Sequence, residues 1–217
     1  MTEILPGGGL TAVDGNRPGT GRHGTSGAGR LLAWLLVITG ALGVLASLVI
    51  TVDKLRLAED PSFQPSCTLN PVLSCTNVML SEQASVFGIP NPLLGLAGYA
   101  GVTAVGFGLL AGARYRRWHW IGLNIGTLLA TVFCMWLMTQ ALYDIGALCL
   151  WCALAWAATI AMFWATTLHN LRHGLLKAPR PLVAGLLEFP WAVPLTWYLI
   201  IVALIATRFW SYWSTLL

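Results

Sequence analysis

Residues 31–52 read LLAWLLVITGALGVLASLVITV, a continuous apolar run without a charged side chain. At about 1.5 Å per residue, this run is long enough to cross about 30 Å of hydrocarbon as a helix. The rest of the chain agrees, because 57% of its 217 residues are hydrophobic and only 9% are charged. A cleavable signal peptide is the alternative, but the run exceeds a typical signal core and more apolar stretches follow. We therefore expect an integral membrane protein.

Four further apolar stretches predict membrane-spanning helices, at residues 92–113, 118–143, 147–171 and 191–209. We expect an all-α membrane protein, a four-helix transmembrane bundle with a fifth transmembrane helix and a long extracytoplasmic loop between helices 1 and 2. The glycine-rich N-terminal segment has too few apolar residues to fold by itself. The predicted organisation is a disordered cytoplasmic tail (1–30), a four-helix core (31–171, outer loop 53–90), a cytoplasmic connection (172–190) and the fifth helix with an extracytoplasmic C-terminus (191–217).

The basic residues indicate how the chain is oriented in the membrane. Nine of the twelve lie before the first span, between the second and third, or after the fourth: Arg17, Arg22, Arg30, Arg114, Arg116, Arg117, Arg172, Lys177 and Arg180. These are alternate connections, and the positive-inside rule places them in the cytoplasm. The sequence thus predicts a multi-pass protein of the plasma membrane with a cytoplasmic N-terminus. The net charge of +4 is then a topology signal, and we expect no nucleic-acid partner.

Four of the five cysteines fall on the outer side in this topology. Cys67 and Cys75 lie in the outer loop, and the C-x-x-C of Cys149 and Cys152 opens the fourth span from the same side. A helix N-terminus favours the thiolate form and so speeds disulfide exchange. Cys149 is nearer the water and can meet a loop cysteine, whereas Cys152, about one turn deeper, faces the level of a lipid-soluble oxidant. Cys134, in the third span, is expected to be an inert core thiol.

Two structural interpretations of the four cysteines compete with exchange chemistry. In the first, Cys67–Cys75 and Cys149–Cys152 are static disulfides, but a C-x-x-C closes too small a loop to constrain the unfolded chain much. In the second, the four thiolates bind zinc, which an oxidising compartment and the loose spacing of the first pair disfavour. We therefore expect redox chemistry and no metal.

The order and spacing of several motifs resemble the vitamin K epoxide reductase family in its bacterial, quinone-linked form. The resemblance covers about residues 31–171. The matching elements are Cys67, Cys75, Ser81, Phe87-Gly88-Ile89-Pro90, Asn91, Gly95, Tyr99, Tyr143-Asp144 and Cys149-Leu150-Trp151-Cys152. Bacterial members have a similar fifth span, and many carry a fused thioredoxin-like domain after it. Since this chain stops at Leu217, we expect that partner to be a separate protein.

This resemblance implies a quinone-dependent thiol-disulfide oxidoreductase. Such an enzyme would reoxidise an extracytoplasmic, DsbA-like thioredoxin-fold protein and pass the electrons to menaquinone or ubiquinone in the bilayer. By analogy with the family, Cys152 would lie next to the quinone, Cys149 would exchange with Cys75, and Cys67 would exchange with the external protein. Asn91 and Ser81 match polar residues close to the quinone head group.

Trp156 departs from the pattern of animal members, which have a substrate-binding tyrosine at this position. An indole can stack on a quinone and donate one N–H, but it cannot supply a phenol proton, so quinone reduction is favoured over epoxide reduction. Gln140 is a further candidate quinone contact. Asn91 before Pro92 also has the pattern of a helix N-cap. For Asp144, the pattern favours a cap or turn residue over a proton carrier.

Some of the same sequence features have other interpretations. Residues 87–90 are either a lid that dips towards the bilayer or a plain re-entry turn. A DsbB-type oxidoreductase has its C-x-x-C in the first outer loop, and here the order is reversed. A small transporter or assembly factor with structural disulfides would be a non-catalytic alternative, but such proteins bury ionisable residues in their spans, and these spans have almost none.

Overall fold

The computed structural model describes residues 27–70 and 72–214, which form helices and no β-strand. Four long helices are α1 (Gly27–Glu59), α3 (Asn91–Leu110), α4 (Arg117–Thr139) and α5 (Leu150–Arg172), and four shorter ones are α2 (Cys75–Leu80), α6 (Arg180–Glu188), α7 (Ala192–Arg208) and α8 (Trp210–Trp213). A 3₁₀ turn covers Glu82–Ser85, and a π-helical turn, Gln140–Ile145, continues α4. The long helices are apolar enough to span a membrane, which confirms the predicted transmembrane bundle.

The fifth span is bent. Helices α6 and α7 meet at 71° across a short break and qualify as one span only when they are taken together. Helix α6 lies within the stretch predicted to be a plain connection, 172–190. The pair is fixed to α5 by polar contacts, since the Tyr198 hydroxyl donates to the Ala157 carbonyl at 2.8 Å and the Trp164 indole donates to the Pro190 carbonyl.

The helix boundaries differ from the predicted ones near the N-terminus and the outer loop. Residues 1–26, which hold most of the predicted tail, lie outside the described residues. Helix α1 begins at Gly27 and runs to Glu59, so the outer loop begins at Asp60 and is shorter than the predicted 53–90. The additional turns of α1 place Asp53 and Lys54 on a helix and not in the loop.

Helices α1 and α3 approach each other closely because glycines line their interface. A Cβ atom on Gly40 would come within 2.3 Å of Thr103 Oγ1, and one on Gly43 within 2.3 Å of the Tyr99 ring. A Cβ on Gly106 would clash with Val37. Small residues at such an interface give van der Waals contact that lipid cannot replace.

Polar side chains join α4 to α5. Asn124 Nδ2 donates to Thr167 Oγ1 at 2.8 Å and to Thr166 Oγ1 at 3.3 Å. Towards the start of α4, Asn170 Nδ2 donates to the Trp120 carbonyl at 3.1 Å. In contrast, α3 and α4 make almost no direct contact, and a cavity lies between them. The bundle is therefore closed on one side and open on the other.

The basic connections gather at one end of this bundle. The start of α1 lies beside the end of α3, because Gly106 faces Ala33. Arg117 Nη2 at the start of α4 donates to the Gly174 carbonyl, just beyond α5, at 3.3 Å. Four cysteines, Cys67, Cys75, Cys149 and Cys152, lie at the opposite end of the bundle.

Candidate functional site

The loop cysteines form a buried disulfide. Cys67 and Cys75 are bonded, with their Cα atoms 5.7 Å apart. Cys75 is the first residue of α2, and the Ser74 side chain caps that helix by accepting a hydrogen bond from the Asn77 amide at 3.3 Å. Thr68, next to Cys67, shares a 3.0 Å hydroxyl contact with Thr76. Polar residues next to the two cysteines thus fix the backbone around the disulfide: Thr68 beside Cys67, and Ser74 and Thr76 beside Cys75.

A single parallel β-bridge aligns the loop with the approach to α5. It pairs Leu73 with Leu148. The Leu148 amide donates to the Val72 carbonyl at 2.7 Å, and the Ser74 amide donates to the Leu148 carbonyl at 3.0 Å. Since Cys75 and Cys149 follow these residues directly, the bridge brings two cysteines that are far apart in sequence to the same place.

Three sulfur atoms consequently meet at the outer end of the bundle. Cys75 Sγ lies 3.1 Å from Cys149 Sγ, and the Sγ atoms of Cys67, Cys75 and Cys149 all lie within 4.8 Å of one another. Because Cys75 is in a disulfide, it has no proton to donate, and its approach to Cys149 is a sulfur–sulfur contact. A free thiol beside a disulfide is the geometry from which exchange through a mixed disulfide begins.

Cys149 is activated by the start of α5. It is the N-cap residue, just before the span that begins at Leu150, and its sulfur accepts a hydrogen bond from the Cys152 amide at 3.4 Å. The Cys152 thiol lowers the pKa of Cys149 by hydrogen bonding to it, and the amides of Cys152 and Trp151 lower that pKa further, against burial and the charge of Asp53. The thiolate, which is the reactive form, is therefore favoured.

A large apolar cavity begins on the other side of Cys152. Its volume is about 860 Å³, and Cys152, Trp156 and Cys134 form part of its wall. Volume and lining suit a drug-sized apolar ligand with a few polar contacts. Of the predicted quinone contacts, Ser81, Asn91 and Trp156 line the cavity. Gln140 lies in the π-helical turn and is not among the residues that line the cavity.

The 3₁₀ turn Glu82–Ser85 contributes Gln83 and Ala84 to one end of the cavity lining, here called its mouth, and is fixed to three helical elements. Lys54 Nζ donates to Ser85 Oγ at 2.9 Å. Asn91 Nδ2 donates to the Gln83 carbonyl at 2.7 Å. Gln83 Nε2 donates to Asp144 Oδ2 at 2.5 Å, so Asp144 holds this turn.

Asn91 is not the N-cap that its position before Pro92 predicts. The helix already begins at Asn91, with Pro90 as the capping residue and no side-chain cap. The side-chain oxygen of Asn91, Oδ1, instead accepts a hydrogen bond from the Val86 amide at 3.1 Å. The side-chain amide group of Asn91 holds the 3₁₀ turn by donating to the Gln83 carbonyl. Phe87 follows this turn; it is 66% exposed and its ring lies 5.7 Å from that of Phe133 on the cavity wall.

Sequence reasoning missed four contributors to this site. The β-bridge has no motif, because its hydrogen bonds come from the backbone. Lys54 and Gln83 are ordinary polar residues whose partners lie far away in the chain. Asp53 is different, because a carboxylate within a long apolar helix is an unusual signal. The predicted outer loop, 53–90, includes this residue, whereas the structure places it on α1.

Comparison with protein-family models gives a match over residues 34–167 to the model described as "Vitamin K epoxide reductase family". The matched region contains all of the cysteines described above and the whole cavity wall. The chain belongs to the vitamin K epoxide reductase family. Comparison with curated proteins gives no significant match.

Members of the vitamin K epoxide reductase family are membrane thiol-disulfide oxidoreductases. This chain has the features that such chemistry needs, namely several helices that can span a bilayer and a disulfide, Cys67–Cys75. The family assignment and the geometry therefore agree on the reaction class, and an oxidoreductase that acts on thiols and disulfides in the membrane is established at that level.

Proposed function

We propose that the protein oxidises the dithiol of an extracytoplasmic, DsbA-like thioredoxin-fold protein and passes the electrons to a membrane quinone. The observation that carries this proposal is the 3.1 Å contact between Cys75 Sγ, in the loop disulfide, and the free thiol of Cys149. A purely structural role for the cysteines would instead call for a closed Cys149–Cys152 bond. Both of these cysteines are free thiols.

Electrons would enter at the loop and leave at the cavity. A partner thiolate attacks Cys67, the Cys67–Cys75 bond breaks, and a second partner thiol completes the reduction of the loop pair. The Cys75 thiolate then attacks Cys149 of an oxidised C-x-x-C, and Cys152 leaves as a thiolate. Cys67 next attacks Cys75, which releases Cys149. The C-x-x-C pair is now a dithiol, and its two electrons go to the acceptor in the cavity.

The residues of the cavity are suited to a quinone. Cys152 faces it from the first turn of α5, while Trp156 offers a flat aromatic surface one turn deeper. Ser81 and Asn91 supply the polar groups near the mouth. A bound quinone would serve as the two-electron acceptor. The protein's part is to hold the head group against Cys152 and to keep water out with the 3₁₀ turn.

The orientation in the membrane completes the proposal. The basic connections lie at the end of the bundle away from the sulfurs, and the positive-inside rule assigns that end to the cytoplasm. The sulfur site would then face the oxidising compartment, where a disulfide-generating partner works. A thioredoxin-fold dithiol with a reduction potential of about −120 mV needs an electron acceptor that is more oxidising than the glutathione pool, and a quinone provides it.

A trapping experiment tests the partner. The variant Cys75→Ala keeps Cys67 as an unpaired loop thiol, and we expect it to capture a thioredoxin-fold protein in a mixed disulfide that a reductant dissolves. The double variant lacking both loop cysteines should capture none. Cys134→Ala, which removes a thiol on the cavity wall and leaves the other four, is the matched control and should behave like the wild type.

Quinone reduction by purified protein with a dithiol donor tests the other half. The variant Cys152→Ser should lose this activity and accumulate a Cys75–Cys149 mixed disulfide, whereas Cys134→Ser should retain the normal disulfide pattern. The proposal fails if the wild-type protein reduces no quinone and no loop variant captures a partner.

A further inference from the structure

Asp53 is a buried carboxylate that the sulfur chemistry described above leaves unused. It is only 8% exposed, and its Oδ2 atom has no hydrogen-bond partner among the residues that the structure describes. Burying an ionisable group without a partner is costly, and in an apolar helix it marks a functional position more often than a structural one.

The position of Asp53 on α1 points its side chain at the cysteines. Ile50 and Leu57, one turn before and one turn after, are both buried and both pack in a cluster with Cys67, Cys75 and Cys149. Residues three and four apart share one helix face, so the carboxylate lies on the face that meets the sulfurs. In agreement, the charge of Asp53 acts directly on the Cys149 thiol.

The cations near Asp53 form no hydrogen bond or ion pair with it among the described residues, although the charge of Arg56 acts on the carboxylate. Arg56, on the same helix, places its guanidinium over the Phe63 ring at 5.6 Å. Lys54 Nζ donates to Ser85 Oγ at 2.9 Å. Among the described residues, the titratable groups of the cluster on this helix face are thiols: Cys149, and the loop pair when it is reduced. The groups next to Asp53 that can exchange a proton with it are therefore the sulfurs.

We propose that Asp53 is the acid–base group of the internal disulfide exchange. This inference rests on the proposed transfer of electrons from the loop pair to the C-x-x-C. When Cys75 attacks Cys149, the carboxylate takes the Cys75 proton, the Cys75–Cys149 bond forms, the Cys149–Cys152 bond breaks, and the electron pair goes to Cys152. When Cys67 then attacks Cys75, the Cys67–Cys75 bond forms, and Cys149 leaves and receives the proton from Asp53.

The remaining protons balance through water. Cys67 releases its proton to water as it attacks, and Cys152 takes one up from water after it leaves. At the end of the exchange the loop is a disulfide, the C-x-x-C is a dithiol and Asp53 is a carboxylate again. That is the state of the present structure, in which Asp53 Oδ2 is unpartnered beside the Cys149 thiol.

The substitution Asp53→Asn separates this role from a purely electrostatic one by the direction of two effects. Without the negative charge, the pKa of Cys149 falls, so iodoacetamide should alkylate Cys149 in the oxidised-loop protein faster at neutral pH. An electrostatic role predicts that exchange also becomes faster, because Cys149 is a better leaving group. Loss of the base predicts slower exchange, by about 100-fold at neutral pH.

Exchange is measured as dithiol-driven quinone reduction across a pH series. We expect the deficit of Asp53→Asn to shrink as the pH rises, because hydroxide and the free thiolate replace the carboxylate. Asp60→Asn is the matched control, because Asp60 is an exposed carboxylate that accepts a hydrogen bond from the Ser62 hydroxyl at 2.6 Å. This variant should leave both rates unchanged. Exchange in Asp53→Asn that equals or exceeds the wild-type rate overturns the proposal.

A second variant keeps the test decisive if Asp53→Asn does not fold. Asp53→Ala leaves space for a small carboxylate, and added formate should restore exchange while leaving the alkylation of Cys149 unchanged; no restoration overturns the proposal. Failure of the parent proposal looks different, because the wild-type protein would then reduce no quinone at any pH.

Discussion

Two helix interfaces of the same bundle are built in opposite ways. Between α4 and α5, Asn124 donates to Thr166 and Thr167, and Thr127 Oγ1 lies 3.1 Å from Thr166 Oγ1. Between α3 and α4 there is no such pairing among the described residues, and the cavity of about 860 Å³ separates the helices. Glycines line it from both sides, at Gly98, Gly101, Gly122 and Gly126.

The difference shows how a small bundle stays assembled around an opening. Helix α3 does not need α4, because it is packed on α1 and its Tyr99 hydroxyl donates to the Ala155 carbonyl of α5 at 3.1 Å. Helix α4 is fixed to α5 by the polar interface. Both walls of the cavity are thus anchored to other helices, and the space between them can admit a ligand without loss of the fold. Three experiments test this contrast.

The largest effect is expected from filling the open interface. A Cβ atom at Gly126 would meet nothing within 4 Å, so Gly126→Leu can extend into the cavity without a clash with the backbone. Competition with a ligand for this space corresponds to about 1–3 kcal/mol, or roughly a 5- to 150-fold loss in kcat/KM for quinone. Exchange between the loop and Cys149 should be unchanged, as followed by thiol alkylation.

Gly185→Leu serves as the control for this experiment. Its Cβ would also meet nothing within 4 Å, but it lies on α6, away from the cavity. If both glycine variants impair quinone reduction equally, the cavity between α3 and α4 is not the acceptor site.

A smaller effect is expected from weakening the closed interface. Asn124→Leu removes two hydrogen bonds between α4 and α5. Interhelical hydrogen bonds in membranes contribute about 0.6 kcal/mol each, so we expect a loss of about 1 kcal/mol in unfolding free energy. Steady-state quinone reduction per folded molecule should stay within about twofold of the wild type, since that change corresponds to under about 0.5 kcal/mol.

Thermal unfolding in detergent gives the stability of this variant. Thr207→Val, on the exposed end of α7, removes a hydroxyl that bonds only to its own helix and should change the melting temperature less. A large loss of activity in Asn124→Leu without a loss of stability would contradict the division between the two interfaces.

The smallest effect is expected at the mouth of the cavity. Gln83→Ala removes the exposed hydrogen bond to Asp144 but keeps those that Lys54 and Asn91 make with the same 3₁₀ turn. A hydrogen bond contributes about 0.5–1.5 kcal/mol and an exposed one lies at the lower limit of this range, so the KM for quinone should rise by about twofold with kcat nearly constant. A fall in kcat at constant KM would show that this turn does not control entry.

Much of this organisation could be predicted from the chain itself. The spans and the positions of the basic connections follow from local composition, which the bilayer makes decisive. The resemblance in motif order then identified Ser81, Asn91 and Trp156, all of which line the cavity.

The remaining features depend on backbone geometry and distant partners. Gln140 lies in the π-helical turn that ends α4 and is closed by Gly146 at a φ of 66°, and the sequence pattern does not distinguish such a turn from a regular helix. The bend between α6 and α7 and the true start of the outer loop are boundary effects of the same kind. Asp53 was visible in the sequence, but its role required knowing that α1 continues past it.

The bridge between Leu73 and Leu148 also restricts how sequences of this type can diverge. Insertions at Pro61 or Ser62, which are both exposed, would lengthen a surface segment and leave the sulfurs in place. One residue added between Leu73 and Cys75, or between Leu148 and Cys149, would shift a sulfur by about 3.3 Å and turn it to the opposite side of the strand. Length variation should therefore be tolerated before Cys67 and forbidden after the bridge, a pattern that mutational scanning by single-residue insertion would reveal.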